Sequence, residues 1–165
     1  MRLRYLNPNQ SNKKVTIIFI PCYLDGKDGI LNLSYYDMIP GLDATIFPSY
    51  YEPWGYTPLE SIAFGVPTIS SDKAGFGQWI LNNYKNKFCE CGTRVISRTD
   101  SNYHEAKEHI AECIKEIEQF SEQEIEHVRS KAKLTSNDAD WSKFMTHYIK
   151  AFKTACCRRD KRNNN

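Results

Sequence analysis

The chain has 165 residues, a formal net charge of +2, 41% apolar residues and 25% charged residues. That is enough for one domain with its own core, in an ordinary soluble composition. Such a charge leaves no electrostatic footprint for nucleic acid, no apolar run approaches the ~18 residues of a membrane helix, and the N-terminal MRLRYLNPNQSNKK lacks the apolar stretch of a secretion signal.

In chain order, residues 1–14 read as an N-terminal extension, and VTIIFIP (15–21) as a β-branched strand buried on both faces and stopped by Pro21. CYLDGKDGILNL carries two Asp/Gly turn signals and reads as a loop. SYYDMIPG places Asp37 three residues after Ser34, a capping-box spacing that predicts a helix of about two turns. DATIFP (43–48) is a second strand ended by proline. TPLESIAFG (57–65) predicts a helix with Thr57 as N-cap, Pro58 at its first position, Glu60 in the capping-box place and Gly65 as its stop.

VPTIS predicts a third strand, GFGQWILNNY a turn and a helix, and TRVIS a weak fourth strand. Three long helices follow. Residues 101–120 set Ala106, Ile110, Cys113, Ile114 and Ile117 on one face. Residues 121–134 open on a Ser121–Glu124 capping box. Residues 138–157 carry a stripe of Trp141, Phe144, Met145, Tyr148 and Phe152, read as core. The tail, 158–165, is expected to be basic and disordered. Alternating strands and helices imply an α/β fold, a Rossmann-like parallel sheet with helices on both faces, forming one domain over 15–157.

Six cysteines and four histidines show no repeated metal-ligand spacing. Free thiols in a reducing compartment, a cytoplasmic location and no metal are therefore expected.

The stretch FPSYYEPWGYTPLE (47–60) is too stiff for a linker and too polar for a core. It joins a strand to a helix at the end of the sheet where open α/β folds bind ligands. A helix N-terminus there offers unpaired N–H groups and partial positive charge to a phosphate, from Gly55, Tyr56, Thr57 and Leu59, since Pro58 has none to give. Gly55 permits close backbone approach, and Pro48, Pro53 and Pro58 stiffen the loop. Neither a Walker loop nor a G-x-G-x-x-G fingerprint is present.

Glu52 and Glu60 form an E-x7-E pair. The stretch closely resembles that signature in retaining GT-B glycosyltransferases, and PSYYEPWGYTPLE within it resembles the glycogen synthases of the fungal and animal type. GVPTISSDKAGFG and DADWSKFMTHYIKAFKTA extend the resemblance over about residues 15–158. It implies the C-terminal half of a GT-B glycosyltransferase. Such an enzyme is a retaining hexosyltransferase that moves glucose from UDP-glucose or ADP-glucose to the 4-hydroxyl of an α-1,4-glucan, with no metal. By the resemblance, Glu52 lies beside the donor sugar at the reaction centre and Glu60 holds the ribose. Gly55, Tyr56 and Thr57 contact the diphosphate, and Tyr23 and Tyr35 sandwich the base.

The sequence also departs from that family. Its members bind donor and acceptor between two domains, and two do not fit in 165 residues at ~100–200 per domain. The N-terminal GT-B domain is thus expected to be a missing partner, leaving this half unable to catalyse alone. The arginine and lysine that the family keeps for the diphosphate have no counterpart, because Arg2 and Arg4 precede the first strand. The helix at 121–134 holds a single arginine, Arg129, where eukaryotic members carry an arginine-rich regulatory helix. Two other readings stay open. One is a retaining GT-B transferase with a different acceptor; the other is a non-catalytic nucleotide- or carbohydrate-binding module.

Overall fold

The structure is a computed structural model that describes residues 17–163; the expected extension at 1–14, with Arg2 and Arg4, lies outside them. The chain forms two compact units dividing between Gly41 and Leu42, where the sequence predicts one domain.

In the first unit, residues 17–21 form no strand. Ile17, Ile18 and Phe19 are exposed. A β-branched run becomes a strand only where a neighbouring ladder and a packed face receive it, and the described residues pair nothing with it. A loop follows, organised by Asp28. Its carboxylate accepts the N–H groups of Ile30, Leu31 and Asn32 at 2.7–3.0 Å. The Leu31 bond is the first cause of the lowered Asp28 pKa. Helix α1 (Tyr35–Met38) starts at Ser34, whose hydroxyl accepts from the Asp37 N–H at 3.3 Å. A 3-10 turn (Ile39–Gly41) completes the two turns that the spacing predicts.

The second unit is built on a three-stranded parallel sheet in the order β1 (Thr45–Phe47), β2 (Thr68–Ser71), β3 (Thr93–Ile96). Thr45 pairs with Thr68 and Thr68 with Thr93, so the three carboxyl ends lie together. Among the described residues the four expected strands become three. Every residue of β2 is buried, as a strand covered on both faces must be. The free flank of β3 is satisfied by Asn86, whose side chain donates to Val95 C=O at 2.8 Å and accepts Val95 N–H at 2.7 Å.

Helix α2 (Tyr56–Ala63), α3 (Gly75–Asn83), α4 (Phe88–Cys91), α5 (Tyr103–Glu118) and α6 (Glu122–Asp138) enclose this sheet. Ile62, Phe76, Ile80, Cys91, Val95 and Ala132 form one core cluster, and Ile69, Phe88, Ile96, Ala106, Cys113 and Val128 form another. Val95 and Ile96, adjacent in β3, point into opposite clusters, so there are helices on both faces of an α/β, Rossmann-like sheet. On α5, Ala106 and Cys113 are buried as expected, whereas Ile114 is exposed. The capping box of α6 is complete: Ser121 N–H donates to Glu124 Oε2 at 2.8 Å and Ser121 Oγ accepts from Glu124 N–H.

Helix α7 (Trp141–Asn163) overturns two expectations. It runs through 158–163, where a disordered tail is predicted. Its aromatic stripe is not core: Trp141, Met145, Tyr148 and Phe152 are exposed, and Phe144 is the one residue of 141–162 that is not. Helical spacing says which face is apolar, but whether anything covers that face is set by tertiary contacts.

Candidate functional site

The residues expected at the site are divided between the two units, which are described separately. In the first, Tyr23 is 97% exposed at the mouth of the Asp28 loop. Tyr35 opens α1, and its N–H donates to Leu24 C=O at 3.0 Å. With the antiparallel bridge between Asp25 and Ser34, this brings the backbones of Tyr23 and Tyr35 close together.

In the second unit, the β1–α2 loop is fastened to the β2–α3 loop. Glu52 N–H donates to Lys73 C=O at 3.2 Å and Glu52 C=O accepts from Gly75 N–H at 3.0 Å, making a parallel bridge of Glu52 with Ala74. Phe76 N–H then donates to Trp54 C=O at 2.6 Å. Ser71 Oγ donates to Ser49 C=O at 2.6 Å, and Ser49 Oγ donates to Glu52 Oε2 at 3.3 Å. Gly75 makes this closeness possible, since a Cβ there would stand 3.1 Å from Trp54 Cα and inside contact distance of Pro53 O.

The chain turns from that bridge into α2 through Gly55, at φ 113° and ψ 75°. Such a conformation suits glycine alone. Gly55 is therefore the N-cap, two residues before the expected Thr57, which sits inside the helix and caps nothing with its side chain. Pro58 becomes the third helical residue, where its missing N–H is still no loss. Leu59 N–H bonds back to Gly55 C=O at 3.5 Å, so Leu59 leaves the set of open donors. The N–H groups of Gly55, Tyr56 and Thr57 have no partner among the described residues. Glu52 Oε2 lies beside this terminus, 3.5 Å from where a Gly55 Cβ would stand. Glu60 is one full turn into α2, four residues after Tyr56, so the two share a helix face.

Tyr56 and Glu60 line a cavity of about 740 Å³, with Trp54 and Leu59 on their side and Asp140, Trp141, Phe144 and Tyr148 across from them. Asp138, between the lining residues Asn137 and Ala139, accepts from Tyr84 Oη at 2.6 Å and from Lys143. Burial and this carboxylate push the Tyr84 pKa well up, and the Lys143 hydrogen bond pulls that of Asp138 down. Trp54 is a packed residue, its ring centroid 5.3 Å from Phe144 and 6.1 Å from Trp79. Tyr50 and Tyr51, earlier in the same loop, are exposed.

The sequence reading missed Arg98, which lies just past β3, after Ser97, and is 8% exposed. The signal was an arginine at the carboxyl end of a strand, the edge that carries the other site loops. Among the described residues no three His, Cys, Asp or Glu side chains form a metal-binding group, and no helix is long and apolar enough to cross a membrane.

A family model described as glycogen synthase matches residues 2–162. Glycogen [starch] synthase isoform 1 of Saccharomyces cerevisiae is 31% identical over 144 residues, covering 87% of this chain and 20% of the relative. The Neurospora crassa glycogen [starch] synthase is 30% identical over 143 residues, with the same shares. The human liver glycogen [starch] synthase is 38% identical over 69 residues, 42% of this chain and 10% of the relative. The chain spans about one fifth of the length of the two fungal relatives.

Proposed function

Because this chain belongs to the glycogen synthase family, we propose that it supplies the nucleotide-sugar half of a retaining glucosyltransferase that extends an α-1,4-glucan. One observation carries the reading. At the carboxyl end of a parallel sheet, Glu52 and three open N–H groups meet at the start of α2, with Glu60 one turn further on.

In this reading Gly55, Tyr56 and Thr57 bind the diphosphate of UDP-glucose or ADP-glucose through their N–H groups, and the helix dipole favours its charge. Glu60 holds the ribose hydroxyls. Tyr23 and Tyr35 take the base between them. As the anomeric C–O bond breaks, positive charge grows on the sugar and negative charge on the diphosphate. Glu52 stabilises the first and the α2 N-terminus the second. The acceptor 4-hydroxyl attacks from the face the diphosphate leaves, and its proton passes to the departing diphosphate, so configuration is retained. No metal is needed. The second GT-B domain brings the acceptor, and the reaction belongs to the cytoplasm.

Calorimetric titration of the chain with UDP, ADP and UDP-glucose tests this, beside Glu60→Ala and Tyr35→Ala. Binding of one nucleotide, weakened at least tenfold in both variants, is expected and names the donor base. Equal binding in all three proteins, or none at millimolar nucleotide, defeats the reading.

A further inference from the structure

Arg98 is a buried cation with no anion beside it among the described residues. Among those residues its guanidinium makes no ion pair and no side-chain hydrogen bond, and its Nε is closed off from solvent with no acceptor. A charge in that situation is costly unless something else receives it. What receives it is aromatic: the guanidinium carbon lies 4.0 Å from the centroid of the Tyr50 ring and 5.8 Å from that of Tyr103. A cation over a ring face is drawn to the negative face of its quadrupole, and arginine does this best when desolvated.

The backbone of Arg98 is fixed separately. Its N–H donates to Asp72 Oδ1 at 2.8 Å, while the other oxygen of Asp72 accepts from Ser97 Oγ at 3.2 Å and faces Lys73 Nζ at 3.6 Å. Arg98 thus touches all three loops at the carboxyl end of the sheet. It belongs to the loop after β3, its main chain is held by the loop after β2, and its side chain holds Tyr50 of the loop after β1. Tyr50 lies between Ser49 and Glu52, the two residues whose main chains are tied to the β2–α3 region.

We propose that Arg98 is a positioning residue for the candidate site: its buried guanidinium clamps Tyr50 and thereby sets the 49–52 segment that carries Glu52. Arginine is needed rather than an apolar filler because the contact is to a ring face. The clamp rests on the functional reading only for its effect on nucleotide; the geometry of the loop stands apart from it.

The test uses the whole chain with Arg98→Met, Tyr50→Phe and Tyr50→Leu, singly, and the Arg98→Met/Tyr50→Leu double variant. Amide hydrogen exchange is followed without nucleotide. Arg98→Met and Tyr50→Leu should each speed exchange at Glu52 and Gly75 at least tenfold, with Val128 and Cys113 unchanged. Tyr50→Phe, which keeps the ring, should match the parent, and the double variant should be no faster than either single one. Nucleotide affinity, where the parent binds, should fall tenfold in the same two variants. Unchanged exchange at Glu52, a rise spread evenly over α5 and α6, or equal behaviour of Tyr50→Phe and Tyr50→Leu overturns the clamp. So does slower exchange with inorganic phosphate in the parent but not in Arg98→Met, which would make Arg98 an anion ligand. A parent that binds no nucleotide defeats the functional reading, and the exchange data still decide the clamp.

Discussion

Gly75→Ala addresses the closest backbone approach near Glu52. The added methyl would sit inside contact distance of Pro53 O and 3.1 Å from Pro53 C and Trp54 Cα, all main-chain atoms that cannot swing aside. Forcing a methyl into such a place costs ~1–3 kcal/mol. Moving the 52–54 segment to relieve it stretches the Gly75-to-Glu52 and Phe76-to-Trp54 hydrogen bonds, each worth ~0.5–1.5 kcal/mol. The better helix propensity of alanine returns at most ~1 kcal/mol. The net expectation is a loss of ~3 kcal/mol, which lowers the urea midpoint by ~1.5 M at a slope of ~2 kcal/mol/M. Gly41→Ala is the control, with nothing within 4 Å of the new methyl, and should change stability by less than ~0.5 kcal/mol. Equal midpoints for the two variants would refute the claim that Gly75 is held by contact with the Glu52 loop.

Burial raises the thiol pKa of both Cys91 and Cys113, while Cys22, Cys89, Cys156 and Cys157 are exposed. At pH 8 a thiol reagent should modify four cysteines quickly and two only on opening; six fast thiols would contradict this. The same shift has a sign. The folded form keeps these protons, so its stabilisation is complete below the unfolded thiol pKa of ~8.5 and is lost as pH rises from there through the raised folded values. Urea midpoints at pH 7.5 and 9.5 check it. Ser121→Ala should cost ~1 kcal/mol by removing the α6 cap, and Ser121→Asp should recover most of it in the same assay. Phe144→Ala should cost ~2 kcal/mol and Phe152→Ser under ~0.5 kcal/mol, and comparable losses would mean that the outer stripe of α7 is covered after all.

Much of the fold was legible because several segments carry their own punctuation. The Ser34 cap and the Ser121 capping box each fix a helix start by local hydrogen bonds that need nothing else in the protein. The E-x7-E stretch marked a strand-to-helix loop, and the structure ties Glu52 in that loop to the loop after the second strand. What misled was local logic applied where distant contacts decide. Thr57 has good capping chemistry, but the bridge at Glu52 forces the turn earlier, onto Gly55. Ile17–Phe19 and the α7 stripe have the right residues for burial and lack a covering neighbour among the described residues. Arg98 was illegible because its partners, Tyr50 and Asp72, lie far from it in the sequence and meet it only in the folded chain.

The aromatic cluster around Trp54 also gives the protein an optical handle. Trp54 stands two residues after Glu52, and its indole lies 6.1 Å from that of Trp79 at 56° between planes. Two like chromophores at that distance and angle are neither parallel nor perpendicular, so their electronic transitions couple and rotate polarised light in the near ultraviolet. Phe76 and Phe144 meet Trp54 edge-on and hold its angle. Trp141, half exposed on α7, lies outside this pair and emits from water. A near-ultraviolet dichroism spectrum therefore reports the Glu52 loop without any label, and it would fade on loosening of that loop while the helical far-ultraviolet signal persists.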